Sequence, residues 1–401
     1  MGVSVQRFLG WLLLFGLFSS IVLPNINIGS ISLYLTTPIS VAVLVLVIYL
    51  SLNARKLRID KFLYVLLFVC SSVVISTIYS WIAGLANMNY RDLIEVIKYA
   101  QFIPYVMAIP YLSSGFVLDF RRASVFAFVL FLVVSILQVF QISFVSYLYL
   151  GSDSAHIQSA LSGHRLTLTG SDPNIGGAIA AFFAILSLVY FLNKKSFVWL
   201  ALLVLCFVFL LMTQSRTALI AFVFSVLFYI LFFYRLNIVF KLALVSFLIS
   251  ISTLIFTSLN LDYIVIGIQI ALQGENNSLN VRFENLALAY EIFLSSPYLG
   301  VGPSKDSLST IIDSEYALII QRYGLLGVLA FLTMIVYFFK YGFKNSDYIG
   351  GKLLLLFIAM APFVMLTNNV FSGYQLMSIP VLLYILVIPE KVLDRNVKAY
   401  S

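Results

Sequence analysis

Charge is what this sequence has least of. Asp, Glu, Lys and Arg make up 10% of its 401 residues while 62% are hydrophobic; soluble domains carry roughly 25% charged residues. That balance excludes a soluble globular protein and points to a membrane. Cysteine is nearly absent as well. Cys70 and Cys206 both fall inside apolar runs, where they read as small core residues, and no disulfide or thiolate framework follows. The two histidines, His156 and His164, share a loop with Arg165 but have no third ligand at metal spacing, so neither a metal nor another cofactor is expected. No internal repeat supports a duplicated transporter architecture.

What is plentiful is apolar sequence at bilayer length. Runs of about 17 residues or more recur throughout, giving about twelve spans in a single all-α integral membrane domain over residues 1–401. The spans fall at about Phe8–Leu23, Leu33–Leu52, Phe62–Leu85, a fourth containing Pro104 and Pro110, Ala123–Ile142, Ile175–Leu192, Phe197–Met212, Thr217–Tyr234, Leu242–Leu261, Tyr316–Phe339, Leu353–Leu366 and Gln375–Ile388. The first follows a lone Arg7 and imitates a signal peptide, but no small-x-small cleavage motif closes it, so it is expected to be retained.

The net charge of +8 sets topology here and does not imply nucleic acid. Alternating the loops from a cytoplasmic N-terminus puts NARKLRIDK (53–61), Arg121, Arg122, Lys194, Lys195, Arg235, Lys340, Lys344, Lys352 and the tail EKVLDRNVKAYS inside. Both termini are then cytoplasmic. Arg91, Lys98, Arg165, Arg216, Arg282, Lys305 and Arg322 remain outside.

Three external stretches break the apolar pattern. NMNYRDLIEVIKYA (87–100) puts Leu93, Ile94 and Ile97 on one face beside Glu95 and Lys98, which suggests an interfacial helix leading into the fourth span. The loop 143–174 ends in SGHRLTLTGSDPNIGG, where Asp172-Pro173-Asn174 has the chemistry of a helix start and hence of an anion-attracting terminus. Between the ninth and tenth spans the chain stays outside over 262–315, too long for a bare connector and expected to carry short helices lying on the bundle.

Candidate chemistry concentrates in these stretches. An arginine facing lipid costs about 2.5–3.5 kcal/mol at mid-membrane, so each external arginine needs a partner or the surface. Arg216 follows Thr213-Gln214-Ser215 at the junction of two apolar spans: it reads either as a snorkelling anchor or as a guanidinium fork for a phosphate at headgroup depth. Arg165, with Gly176 after an Arg-x10-Gly spacing, and Arg282, leading to Gly300-Val301-Gly302, read as further forks or as salt bridges to Asp172 or Glu284. Arg322 lies one turn into the tenth span, where it could pair with Glu315. In Asp313-Ser314-Glu315-Tyr316, two carboxylates at the mouth of a span suit acid/base chemistry; the alternative is acids complementing a helix N-terminus.

Taken in order, Ser215-Arg216-Thr217-Ala218, Arg282, Pro297-Tyr298-Leu299-Gly300-Val301-Gly302, Asp313-Ser-Glu-Tyr316 and Gly324-Leu-Leu-Gly327 resemble the O-antigen polymerase and ligase superfamily, closest to Wzy-type polymerases, over roughly residues 160–330. The resemblance implies a GT-C-like membrane fold in the bacterial inner membrane, with the active site facing the periplasm. It implies sugar repeat units on undecaprenyl pyrophosphate as donor and acceptor, with a chain-length regulator as a further partner in the same membrane. A polymerase moves the growing glycan onto the non-reducing end of a new lipid-linked repeat; a ligase moves it onto lipid A core. Ligases resemble one another in carrying His-Asn-x-Tyr where this chain has Asp313-Ser-Glu-Tyr316, which favours polymerase. On this reading Arg216, Arg282 and then Arg165 bind pyrophosphate. Asp313 is the base with Glu315 in reserve, and Tyr316, Arg322, Gly300 and Gly302 support them. A flippase or exporter of lipid-linked sugars is the rival of another class and would need ionisable residues within its helices.

Overall fold

Side-chain caps open three of the helices. Asp60 accepts the backbone N–H of Phe62 at 2.8 Å, Asn89 that of Arg91 at 2.8 Å, and Asp172 those of Asn174 and Ile175 at 2.8 and 3.0 Å. The computed structural model describes residues 3–28, 31–54, 59–113, 115–151, 154–163, 165–233, 239, 246, 277–305 and 314–400. Its helices are α1 Val3–Val22, α2 Thr36–Ala54, α3 Lys61–Ile82, α4 Tyr90–Ala100, α5 Phe102–Ala108, α6 Phe116–Val139, α7 Ser143–Leu150, α8 Ser154–Leu161, α9 Pro173–Lys194, α10 Phe197–Met212, α11 Arg216–Phe233, α12 Asn277–Ser295, α13 Glu315–Lys344, α14 Ile349–Val364 and α15 Tyr374–Tyr400.

Among the described residues, nine helical segments are long and apolar enough to cross a membrane, and α10 and α14 are shorter apolar helices. The chain is therefore a multi-pass membrane protein, nearly all helical. The run 242–261, expected as the ninth span, lies outside the described residues apart from Ser246. Between α1 and α2, Ile26–Ile28 (β1) pairs antiparallel with Ile31–Leu33 (β2), with Ile26 opposite Leu33, so the second span, expected from Leu33, becomes helical only at Thr36; isoleucine, plentiful in both strands, has a high β-propensity.

Helix α4 leads through α5 into one candidate span, Tyr90–Tyr111, with Leu93 and Ile97 together on its outward face and its acids turned to the bundle. Asp92 and Glu95 are each 1% exposed, whereas Leu93 and Ile97 are 50% and 45% exposed. Where the surroundings are lipid, ionised groups turn to the protein interior and apolar ones outward.

Packing gives the bundle two distinct ends. Helices α3 and α13 run antiparallel: the Phe62 ring lies 4.6 Å from that of Phe338 at one end, while Ser80 Oγ donates to the Val301 carbonyl at 2.6 Å, beside Arg322, at the other. The first end is pinned by Asp119 between Arg7 (3.5 Å) and Arg122 (3.8 Å), by Tyr384 donating to Asp60 (2.6 Å), and by the Gly350 N–H on Glu390 (2.9 Å). At the opposite end converge the segments that follow α3, precede α9, join α10 to α11, precede α13 and follow α14. The candidate site lies there.

Candidate functional site at the loop-rich end

Helix α13 is interrupted. Gly324 has φ 56° and ψ −155°, outside the helical region and open mainly to glycine. The broken ladder is repaired from outside by the segment 297–302. Leu325 and Leu326 N–H donate to the Pro297 and Tyr298 carbonyls at 2.9 and 3.0 Å, and Val301 and Gly302 N–H donate to the Gln321 and Arg322 carbonyls at 3.1 and 2.8 Å. A Cβ on Gly324 would lie 2.7 Å from the Gly300 nitrogen and from the Pro297 carbonyl oxygen, and one on Gly300 would strike the Arg322 carbonyl. The two glycine motifs are thus halves of one backbone joint, and the joint fixes Arg322 and the chain leading to Lys305.

Next to it sits a buried ion cluster. Glu95 Oε1 takes Lys305 Nζ at 2.6 Å, Lys98 Nζ at 2.9 Å and Arg322 Nη1 at 3.7 Å. Asp92 is occupied differently: its carboxylate accepts Trp81 Nε1–H at 3.2 Å and the Lys305 backbone N–H at 3.0 Å. Burial holds the Lys305 ammonium below the ordinary lysine range; Glu95 opposes that shift, and Arg322 and Lys98 add to it. Arg322 does not pair with Glu315 as expected. It turns to Glu95, which α4 brings to the cluster.

A second polar region lies at the α10–α11 turn. Arg165 Nε donates to the Thr213 carbonyl at 3.4 Å, and Leu166 N–H donates to the Met212 carbonyl at 3.1 Å. Arg165, half-buried, is therefore docked three residues before Arg216, the half-buried first residue of α11. Helix α9 starts against the same turn. Ser215 Oγ donates to Asn174 Oδ1 at 2.9 Å, and Thr217 and Thr367 hydroxyls meet at 2.9 Å. The Arg-x10-Gly spacing has a steric reading here, since the Thr167 carbonyl packs onto Gly176 where a Cβ would stand.

An aromatic pair bridges the two regions. Lys98 Nζ lies 5.7 Å over the Tyr374 ring, which stacks at 5.1 Å on Tyr34. Burial, and then the negative charge of Asp172, push the Tyr34 hydroxyl pKa up. Asp172 in turn caps α9 beside the Arg216 turn.

Glu315 is fully buried and both its oxygens are taken: Oε2 accepts Val370 N–H at 2.8 Å, and Oε1 accepts Phe371 and Ser372 N–H at 2.9 and 2.6 Å. A carboxylate with its acceptor sites filled by backbone donors anchors the 370–372 loop and is poorly placed to receive a substrate proton. Tyr316 donates to the Pro362 carbonyl at 3.1 Å, so its hydroxyl ties α13 to α14. Asp313 and His164 lie outside the described residues. The backbone of Arg282 belongs to α12, and its side chain is likewise outside the description. Beside Arg282, an apolar cleft of about 410 Å³ runs between α12 and α13, lined by Phe283, Leu286, Tyr290, Ala317 and Ile320 among others.

Glu95, Lys98, Lys305 and Asp92 were not singled out as site residues by sequence. A signal existed, however. Asp92, Glu95 and Lys98 recur at every third residue of a segment hydrophobic enough to span a bilayer, which on a helix places ionisable groups along one face.

With this geometry in view, residues 201–332 match the Wzy_C family, described as O-antigen ligase. The match runs from α10 through α11 and α12 across the glycine joint into α13, and it is consistent with the O-antigen polymerase and ligase superfamily. That family implies a glycosyltransferase-like enzyme, either polymerase or ligase. No curated protein matches the chain.

Proposed function

We propose that this protein is a glycan polymerase. It moves a growing polysaccharide from undecaprenyl pyrophosphate onto the non-reducing end of a new lipid-linked repeat unit, at the periplasmic face of the bacterial inner membrane. The observation that carries the reading is the docking of the Arg165 loop on the turn that presents Arg216, a turn that lies inside the stretch matching the O-antigen ligase family. The Arg216 guanidinium at this turn and the Arg165 side chain docked on it, at the end of apolar helices, suit a diphosphate at headgroup depth. Arg282 joins them in the proposal, and the apolar cleft beside it suits the polyprenyl chain of the donor.

The chemistry is a single displacement. The acceptor hydroxyl oxygen attacks the anomeric carbon of the donor glycan, the bond from that carbon to the phosphate oxygen breaks, and its electron pair leaves with the lipid diphosphate. Asp313 takes the hydroxyl proton. Negative charge grows on the diphosphate as the bond breaks, so Arg216 and Arg282 stabilise the transition state more than the ground state and supply the role a metal would otherwise fill. Inversion at the anomeric carbon follows.

A ligase is the second reading, favoured by the description of the matching family. One reaction separates them. Purified protein given a defined synthetic lipid-linked repeat unit should produce a ladder of oligomers that survives chelation by EDTA; transfer to lipid A core without a ladder would make it a ligase. Arg216→Ala and Arg282→Ala, at normal expression, should each lower turnover about 100-fold or more, the size of a lost transition-state charge contact. Full-length polymer from either variant would refute the diphosphate assignment.

A further inference from the structure

We propose that Lys98, Lys305 and Arg322 form a second anion subsite, which holds the diphosphate of the lipid-linked acceptor. The inference rests on the polymerase reading, in which both substrates carry a lipid diphosphate. A single diphosphate site at the Arg165–Arg216 turn would leave the acceptor's charge unmet.

Three observations carry it. First, the cluster has more positive than negative charge: Lys98, Lys305 and Arg322 face Glu95, and the neighbouring Asp92 carboxylate is already committed to Trp81 and the Lys305 backbone. Counting both acids still leaves one cation in excess, in a setting where uncompensated charge is costly. Second, burial is one-sided. Glu95 is 1% exposed, while the side chains of Lys98, Lys305 and Arg322 keep 23%, 28% and 18% exposure. The carboxylate is the floor, and the partly exposed ammonium and guanidinium groups carry more donors than Glu95 Oε1 can take, an arrangement that fits a multiply charged diphosphate better than a single carboxylate. Third, the floor and walls are rigid. Arg322 is fixed through its carbonyl at the glycine joint, Lys305 through its own N–H on Asp92, and Lys98 and Glu95 share a helix.

The subsite is also at the right end of the molecule. Lys98 over Tyr374, Tyr374 on Tyr34, and Asp172 beside the α9 start lead from this cluster to the Arg216 turn. Donor and acceptor headgroups would therefore lie at the same end of the bundle, separated by the Tyr34–Tyr374 pair.

The test uses the full chain in nanodiscs with a short-chain polyprenyl diphosphate as probe, counted by native mass spectrometry. Wild type should bind two, Lys98→Gln/Lys305→Gln one, Arg216→Ala one, and the combined variant none. In turnover, with an acceptor blocked from acting as donor, the lysine variants should raise the acceptor KM about tenfold or more, as expected for lost charge-assisted contacts, without raising the donor KM; Lys305→Arg should restore it. Because Lys305 also supports a loop, Lys98→Gln alone is measured alongside as the milder change and should move the same constant. A single lipid diphosphate on a wild type that still builds the ladder would overturn the second subsite and leave the polymerase reading standing. Transfer to lipid A core with no ladder would overturn the polymerase reading itself. Displacement of both probes equally by inorganic pyrophosphate at matched concentration would mark the cluster as a free-anion site and overturn the acceptor assignment, as would a rise in the donor KM alone.

Discussion

Glu95 gathers three cations from three separate stretches of chain, so one carboxylate sets the positions of Lys98, Lys305 and Arg322. The consequence most open to measurement concerns Lys305. Its ammonium is held below the ordinary value of 10.5 chiefly by burial. It therefore loses its proton, and the site loses a cation, at a lower pH than a solvated lysine would. Acceptor affinity should fall on the alkaline side before the usual lysine range is reached, and Lys305→Arg should remove that limb because arginine stays protonated. Folding stability has the opposite sign: a lysine whose native pKa is depressed favours the native state as pH rises through the window between its folded and unfolded values. A pH profile of the acceptor KM beside a thermal melt distinguishes the two, and an alkaline limb unchanged in Lys305→Arg would exclude Lys305 as its source.

Elements differ in how far they could be read from sequence. The α9 start was legible in Asp172-Pro173-Asn174 because a cap and a first-turn proline act locally, and the structure places the cap bonds there. Helix α10 was legible to the residue, as an apolar run between polar turns. Helix α4 was legible as a helix with Leu93 and Ile97 on one face, but not in what its other face meets: Lys305 and Arg322, which reach Glu95, come from far along the chain. The strands at Ile26–Leu33 are too short to declare themselves, and the glycine motifs gave no hint that Gly300 and Gly324 would face each other, since nothing local marks contacts across that separation. Their joint makes its own prediction. Gly324→Ala forces a side chain into φ 56° with its Cβ 2.7 Å from three backbone atoms, so it should cost about 1–3 kcal/mol. Gly115→Ala, in contrast, sits at φ −61° and meets only the Ser113 hydroxyl at an ordinary 3.5 Å. A melting temperature that falls no further for Gly324→Ala than for Gly115→Ala would show that the break in α13 is not held by this contact.

At the scale of the whole molecule, the site acts on periplasmic substrates only if the loop-rich end faces the periplasm. Charge argues for that. The end carrying Arg7, Arg122 and Lys344 is the one the basic residues would retain in the cytoplasm, and α13 puts Lys344 and the glycine joint at opposite ends of the bundle. Cysteine chemistry can test it directly, because Cys70 and Cys206 are buried and should react slowly with a membrane-impermeant maleimide. Tyr298, 73% exposed beside the joint, and Lys344, exposed near the other end of α13, are suitable sites. Tyr298→Cys should label in intact spheroplasts, and Lys344→Cys only after the membrane is opened. The reverse pattern would turn Arg165, Arg216 and the Glu95 cluster towards the cytoplasm, away from the lipid-linked glycan the proposed reaction consumes. A periplasmic polymerase could not then be sustained, whatever the order of its helices.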